Sequence, residues 1–216
     1  RFMNDHNKIQ CGFILPDTCG HYEMDLTTQV SRNSQKQWID FLKDIDSYIQ
    51  KKYSHLTSRT IVLAGLDMEK SLLTSSGSTS YSMTPRGIMY VSLNMEKNGE
   101  PVELMDVFGG LGQLEEHFLD PTQFYSDIDN LADHLSRKAD GVYADAGMKD
   151  VILDADLAGI LAHEAIGHTT EADLVLGGSV AGEYMGRKVS SELVTLIDYA
   201  NSVDGKTCPV PVYIDD

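Results

Sequence analysis

The sequence predicts an α+β fold in which helices pack on a mixed or antiparallel sheet. Three observations predict it. Two stretches, one after Ser34 and one after Asp120, carry apolar residues at three- and four-residue steps, the period of a helix with one buried face. Between them lie β-type segments joined by Lys97-Asn98-Gly99-Glu100, and Asn-Gly suits the positive φ angles of a hairpin turn. A shorter helical run ends in His163-Glu164-Ala165-Ile166-Gly167-His168, a His-Glu-x-x-x-His pattern.

Taken in order, Cys11 to Leu15 reads as a short strand stopped by Pro16-Asp17. Ser34 and Gln37 fit a capping box. Trp38, Phe41, Leu42, Ile45, Tyr48 and Ile49 then line one helix face, and Trp38 belongs to the core. Thr60 to Ala64, Ser71 to Thr74 and Gly87 to Met95 read as strands, and Pro101 to Phe108 as the strand returning from the hairpin. Ser75 to Ser80 is a polar turn, without the Gly-x-Ser-x-Gly pattern of a nucleophile elbow. Gly109-Gly110-Leu111-Gly112 lacks both the Walker lysine and the third dinucleotide glycine, so it reads as a loop whose glycines serve backbone geometry. Asp120-Pro121 starts the second long helix, with aspartate as cap and proline at the first position. Phe124, Ile128, Leu131, Leu135 and Ala139 face the core, and Gly141 stops the helix.

Beyond it, Val151-Ile152-Leu153 reads as a short, fully apolar strand. Asp154 or Asp156 caps a helix that buries Leu157, Ile160 and Leu161 and ends in the His-Glu motif. Val189 to Tyr199 is strand-like, Val203 to Pro211 a loop, and Val212-Tyr213-Ile214 the start of a strand that stops at Asp216. The expected organisation is an N-terminal α+β region over residues 1–140 and a motif-bearing strand–helix–strand region over 141–216. The start at Arg1 without methionine, and the strand cut off at Asp216, predict a fragment of a longer protein.

Composition narrows the function classes. With 216 residues and 42% hydrophobic content, the chain can bury a sizeable core. No apolar run approaches the roughly 20 residues that span a bilayer, and no signal-peptide core is present at the start. A formal net charge of −16, with no basic cluster against it, opposes direct binding to nucleic acids or anionic membranes. Cys11, Cys19 and Cys208 have no paired spacing, which suits a reducing cytoplasm rather than a disulfide scaffold.

The motif carries the chemistry. His-Glu-x-x-His puts two imidazoles on one helix face. Here one more residue intervenes, and on a regular helix a five-residue step leaves the side chains roughly 140° apart. A π-bulge absorbs the extra residue, and such bulges favour functional sites; Gly167 is the residue that most easily allows it. His163 and His168 then hold a metal ion through ring nitrogens. Glu164 accepts a proton from the metal-bound water and passes it to the leaving amine. Imidazole ligation also suits iron, nickel and copper. Glu171 and Asp173 either orient a histidine through its free ring N–H or form a solvated turn. Glu192 is a conceivable third ligand of the kind that closes other zinc-peptidase sites.

His163-Glu164-Ala165-Ile166-Gly167-His168, followed by Glu171-Ala172-Asp173, resembles the signature of the TldD/PmbA family of metallopeptidases, historically called modulators of DNA gyrase. Gly141-Val142-Tyr143, Leu157 to Ala162, Ser190 to Asp198 and Ile214-Asp215-Asp216 are similar to the family's flanking segments, whereas residues 34–140 are motif-poor. The resemblance implies a metal-bearing, TldD-like member with His163 and His168 as zinc ligands and Glu164 as general base. It implies one zinc ion whose third ligand is a cysteine in a C-terminal β-rich domain beyond this chain, a role not carried onto Cys208 and one that argues against Glu192. It implies cleavage of unfolded or extended peptides, such as leader peptides, by a dimer with an identical chain or a PmbA-like sister. The gyrase label fits poorly with the acidic charge. The alternative is a non-catalytic peptide-binding or partner subunit. The missing third ligand favours it, and Glu164, which a scaffold does not need, opposes it.

Overall fold

The computed structural model describes residues 20–74 and 77–212. The expected strand at Cys11 to Leu15, Cys19, Ser75-Ser76 and the last residues from Tyr213 lie outside the described residues. The chain divides into two compact units, one of residues 143–199 and one of the rest. No helix among the described residues is long and apolar enough to cross a membrane.

The larger unit is an α+β layer. Its strands are β1 (His21–Asp25), β2 (Ser58–Leu73), β3 (Thr79–Lys97) and β4 (Glu100–Leu111). β3 is the centre. β2 runs antiparallel along one edge of it, from Ser58 opposite Asn94 to Leu73 opposite Thr79. On the other edge, β1 lies parallel beside residues 79–83 and β4 antiparallel beside residues 86–97. The two segments expected at Thr60 and Ser71 are one continuous strand. The Asn98-Gly99 turn forms as expected, with φ of 54° and 83°.

Two helices cover one face of this sheet. Helix α1 (Gln35–Lys52) begins at Ser34, where the expected capping box is complete. A short helix α2 (Leu114–His117) follows β4. A 3-10 turn at Pro121–Phe124, capped by the Asp120 carboxylate accepting from the Thr122 N–H, leads into α3 (Tyr125–Ala139). Phe41, Ile45 and Ile49 of α1 meet Ile128, Leu131 and Leu135 of α3 over Met89, Val91 and Leu93 of β3. Those three strand residues alternate along one face, as period-two patterning requires. Trp38 is half-buried at the margin of this core. Asp129 ties the helices together. Its carboxylate accepts from Tyr48 Oη at 2.7 Å and Lys52 Nζ at 2.6 Å, and from the Tyr53 hydroxyl.

The glycine run after Phe108 is not a loop. Gly109 and Gly110 pair within β4. A Cβ on Gly109 would sit 2.1 Å from the Gly87 carbonyl oxygen, at a φ of +100°. Only glycine allows the strands to approach this closely. The loop expected over Val203 to Pro211 contains a small hairpin, β5 (Ser202–Val203) against β6 (Lys206–Thr207), turning at Asp204-Gly205.

The unit of residues 143–199 is built differently. Helix α4 (Ala155–Ala162) continues through a π-helical turn at His163–Gly167 into α5 (His168–Thr170). Helix α6 (Ala172–Leu176) and a 3-10 turn at Val180–Tyr184 follow. The expected strands at Val151-Ile152-Leu153 and Val189 to Tyr199 are not formed. A strand needs a neighbour for its backbone groups, and none among the described residues pairs with either segment. Ile152 is 99% exposed. Leu157, Ile160 and Leu161, expected to be buried, are exposed as well.

Candidate metal centre

Asp154 fixes the start of the motif helix. Its carboxylate accepts from the Leu157 N–H at 2.8 Å, so of the two aspartates it is the cap. Eight residues later the helix widens. The His168 N–H donates to the His163 carbonyl, five residues back rather than four. This π-turn cancels the offset that a five-residue step creates on a regular helix, and the two rings meet with centroids 4.3 Å apart. Gly167 takes part without any unusual conformation, at φ −51° and ψ −65°. A Cβ there would make only ordinary contacts, at 3.7 Å from the Ala162 carbonyl and His163 Nδ1. The expectation that glycine is what permits the distortion is therefore not supported by the geometry.

Side-chain hydroxyls hold the end of the helix instead. Thr169 Oγ1 donates to the Ile166 carbonyl at 2.9 Å, and Thr170 Oγ1 is 3.0 Å from the Ile166 and Gly167 carbonyls. These carbonyls lie in the last turn, where helical partners run out. Ser179 Oγ donates to the Thr169 carbonyl at 2.7 Å and anchors the turn to the following segment.

The structure brings His163, Glu164 and His168 together. One donor atom from each lies within 4.8 Å of the others, and this is the group among the described residues with the make-up of a metal site. His168 Nε2 is 4.0 Å from Glu164 Oε2. Donors around a tetrahedral zinc stand about 3.3 Å apart, given bonds of about 2.0–2.1 Å to nitrogen. The group must tighten by about 1.5 Å at most. Exposed side chains do this by rotation, so the two imidazoles can converge on a divalent ion with the Glu164 carboxylate beside it. Glu171 reaches back to the site, its Oε1 2.6 Å from His168 Nδ1. Asp173 does not, because its carboxylate accepts from the Leu174 N–H. Glu192 pairs with Lys188 at 3.0 Å and stands outside the cluster. Cys208 is buried in the other unit.

A cleft of about 390 Å³ opens beside the motif. His163, Gly167 and Glu171 border it from the helix, and Leu196, Ile197 and Asp198 from the later segment. Sequence spacing gives no sign of these last three, which come close only through folding.

Residues 146–212 match the PmbA/TldA metallopeptidase C-terminal domain, and the whole π-turn and cleft lie inside that span. The chain belongs to the TldD/PmbA family. A metalloprotease of Methanocaldococcus jannaschii is 31% identical over 163 residues, which cover 72% of this chain and 34% of that protein. A metalloprotease of Methanothermobacter thermautotrophicus is 46% identical over 54 residues, 24% of this chain and 12% of that protein. One of Archaeoglobus fulgidus is 46% identical over 54 residues, with 13% of its length covered. The chain thus spans about a third or less of the length of these metalloproteases.

Proposed function

We propose that this chain carries the zinc-binding, peptide-hydrolysing part of a TldD-like metallopeptidase. The observation that carries the reading is the π-turn, which places two imidazoles and Glu164 around one point despite the extra residue in the motif. His163 and His168 hold the ion, and a third ligand comes from outside the described residues. A bound zinc ion supplies Lewis acidity, polarising the scissile carbonyl and lowering the pKa of water. Glu164 takes a proton from the attacking water on its carboxylate and returns it to the leaving amine. The cleft beside His163 receives the peptide. Its apolar Leu196 and Ile197 take side chains of the substrate, while the acidic surface disfavours nucleic acid. An extended peptide suits the open cleft better than a folded protein does. The active assembly pairs this subunit with a second copy or a PmbA-like sister, in a reducing cytoplasm that leaves Cys208 a free thiol.

The test is metal content and peptidase activity on the full-length protein. Wild type is expected to hold about one zinc, and His163→Ala with His168→Ala to hold none. Glu164→Gln is expected to keep zinc and to lose roughly 10²–10⁴-fold in rate, the range for a lost general base. Wild-type protein without metal, and without cleavage of an unstructured peptide in the presence of its sister subunit, would leave a non-catalytic partner role.

A further inference from the structure

We propose that Glu171 is a positioning residue for this metal centre: it accepts a hydrogen bond from His168 Nδ1–H and so presents the Nε2 lone pair to the ion. The inference rests on the zinc reading above and adds a residue to it. The carboxylate oxygen is 2.6 Å from Nδ1. An ionised carboxylate only accepts, so the ring proton sits on Nδ1 and the other nitrogen is free. That other nitrogen, Nε2, is the one facing Glu164 Oε2 at 4.0 Å. In a neutral imidazole, the hydrogen bond made by one nitrogen sets which nitrogen can bind a metal.

The backbone supports a dedicated role. The helix ends at Thr170, and Glu171 turns to extended geometry, at φ −57° and ψ 135°. That places it at the N-cap of α6, yet its side chain makes no capping bond there. The carboxylate is turned back across the break to His168 instead. Stability does not explain the arrangement. Both side chains are about half exposed, at 47% and 48%, and exposed ion pairs contribute only about 0–1 kcal/mol. The Thr169, Thr170 and Ser179 hydroxyl bonds already tie down the turn. What the contact does specify is the tautomer and the orientation of the ring.

The experiment compares wild type, Glu171→Ala and Glu171→Gln in the full chain. Zinc affinity is read by competition with a chromophoric chelator, and the His168 tautomer of the metal-free protein by long-range ¹H–¹⁵N correlation. Wild type is expected to show the proton on Nδ1. Glu171→Ala should lose roughly 10–100-fold in zinc affinity, the usual effect of removing such a partner, with an unchanged denaturation midpoint. Glu171→Gln, whose amide oxygen still accepts, should recover most of the loss. Equal zinc affinity in wild type and Glu171→Ala, or a wild-type His168 protonated on Nε2, overturns the inference while leaving the zinc reading intact. A wild type that takes up no zinc overturns both.

Discussion

At the scale of single residues, the motif depends on which bonds close the widened turn. The π-turn loses one regular backbone bond, and the threonine hydroxyls satisfy carbonyls in the turn that follows. Each such bond contributes about 1 kcal/mol. Gly167 does not hold the turn open, because its φ is ordinary and a Cβ has room. Gly167→Ala is therefore expected to keep zinc affinity at the wild-type level, and to raise local helix stability by up to about 1 kcal/mol. Thr169→Val with Thr170→Val should instead fray the helix end and weaken zinc binding. Zinc titration followed by circular dichroism checks both, and a Gly167→Ala protein unable to bind zinc would return the glycine to a central role. His163, Glu164 and His168 are legible in the sequence because they lie within six positions on one helical stretch, where spacing converts directly into geometry, and Glu171 is legible because it follows that stretch directly. Leu196, Ile197 and Asp198 are not, because their approach to the cleft is a product of tertiary folding.

At the scale of elements, the sheet and its two long helices follow from local signals. The Ser34 cap, the Asp120-Pro121 start and the Asn98-Gly99 turn each state their role in a few residues. Asp204-Gly205 carries a similar signal for a smaller hairpin. The apolar segments at Val151 and Val189 mislead because strand propensity does not supply a neighbour, and their apolar side chains stay exposed. Leu135 is fully buried between α3 and the sheet. Leu135→Ala should cost about 2–5 kcal/mol, read as a lower urea midpoint. The Asp129 cluster adds a pH signature. Burial, and then the hydrogen bond to Asp129, push the Tyr53 hydroxyl from 10.0 to about 12. Burial would raise the Asp129 carboxyl too, but the bonds from Lys52, Tyr53 and Tyr48 outweigh it and hold the pKa below its ordinary value. A raised tyrosine pKa favours the neutral form in the fold. Its contribution is complete below about pH 10 and is lost as pH rises towards about 12. The Asp129 contribution has the opposite sense, present at neutral pH and lost as acid protonates the carboxylate. The stability gap between wild type and Tyr53→Phe should therefore narrow between about pH 10 and 12 in thermal melts. A constant gap would mean that Tyr53 makes no pH-linked contribution.

At the scale of the whole molecule, the two units differ in how they are held. The larger has a continuous core from Phe41 to Leu135. In residues 143–199 no described residue is buried, and Leu157, Ile160, Leu193 and Ile197 all face solvent. Regions with few buried apolar contacts open locally at low free energy. A serine protease should consequently cut this 216-residue chain first within residues 143–199, while a fragment containing α1, β2, β3, β4 and α3 persists. Zinc turns the same assay into a test of the site. An ion that binds only the folded helix stabilises it by RT ln(1 + [L]/Kd), about 2.7 kcal/mol at a hundredfold excess over Kd. Zinc should therefore slow cleavage between residues 143 and 199 in wild type and leave the core fragment's lifetime unchanged. His163→Ala with His168→Ala should be cut at the metal-free rate. First cleavage in α1 or α3 would refute the stability order. Equal protection of wild type and the double variant would place the zinc somewhere other than the π-turn.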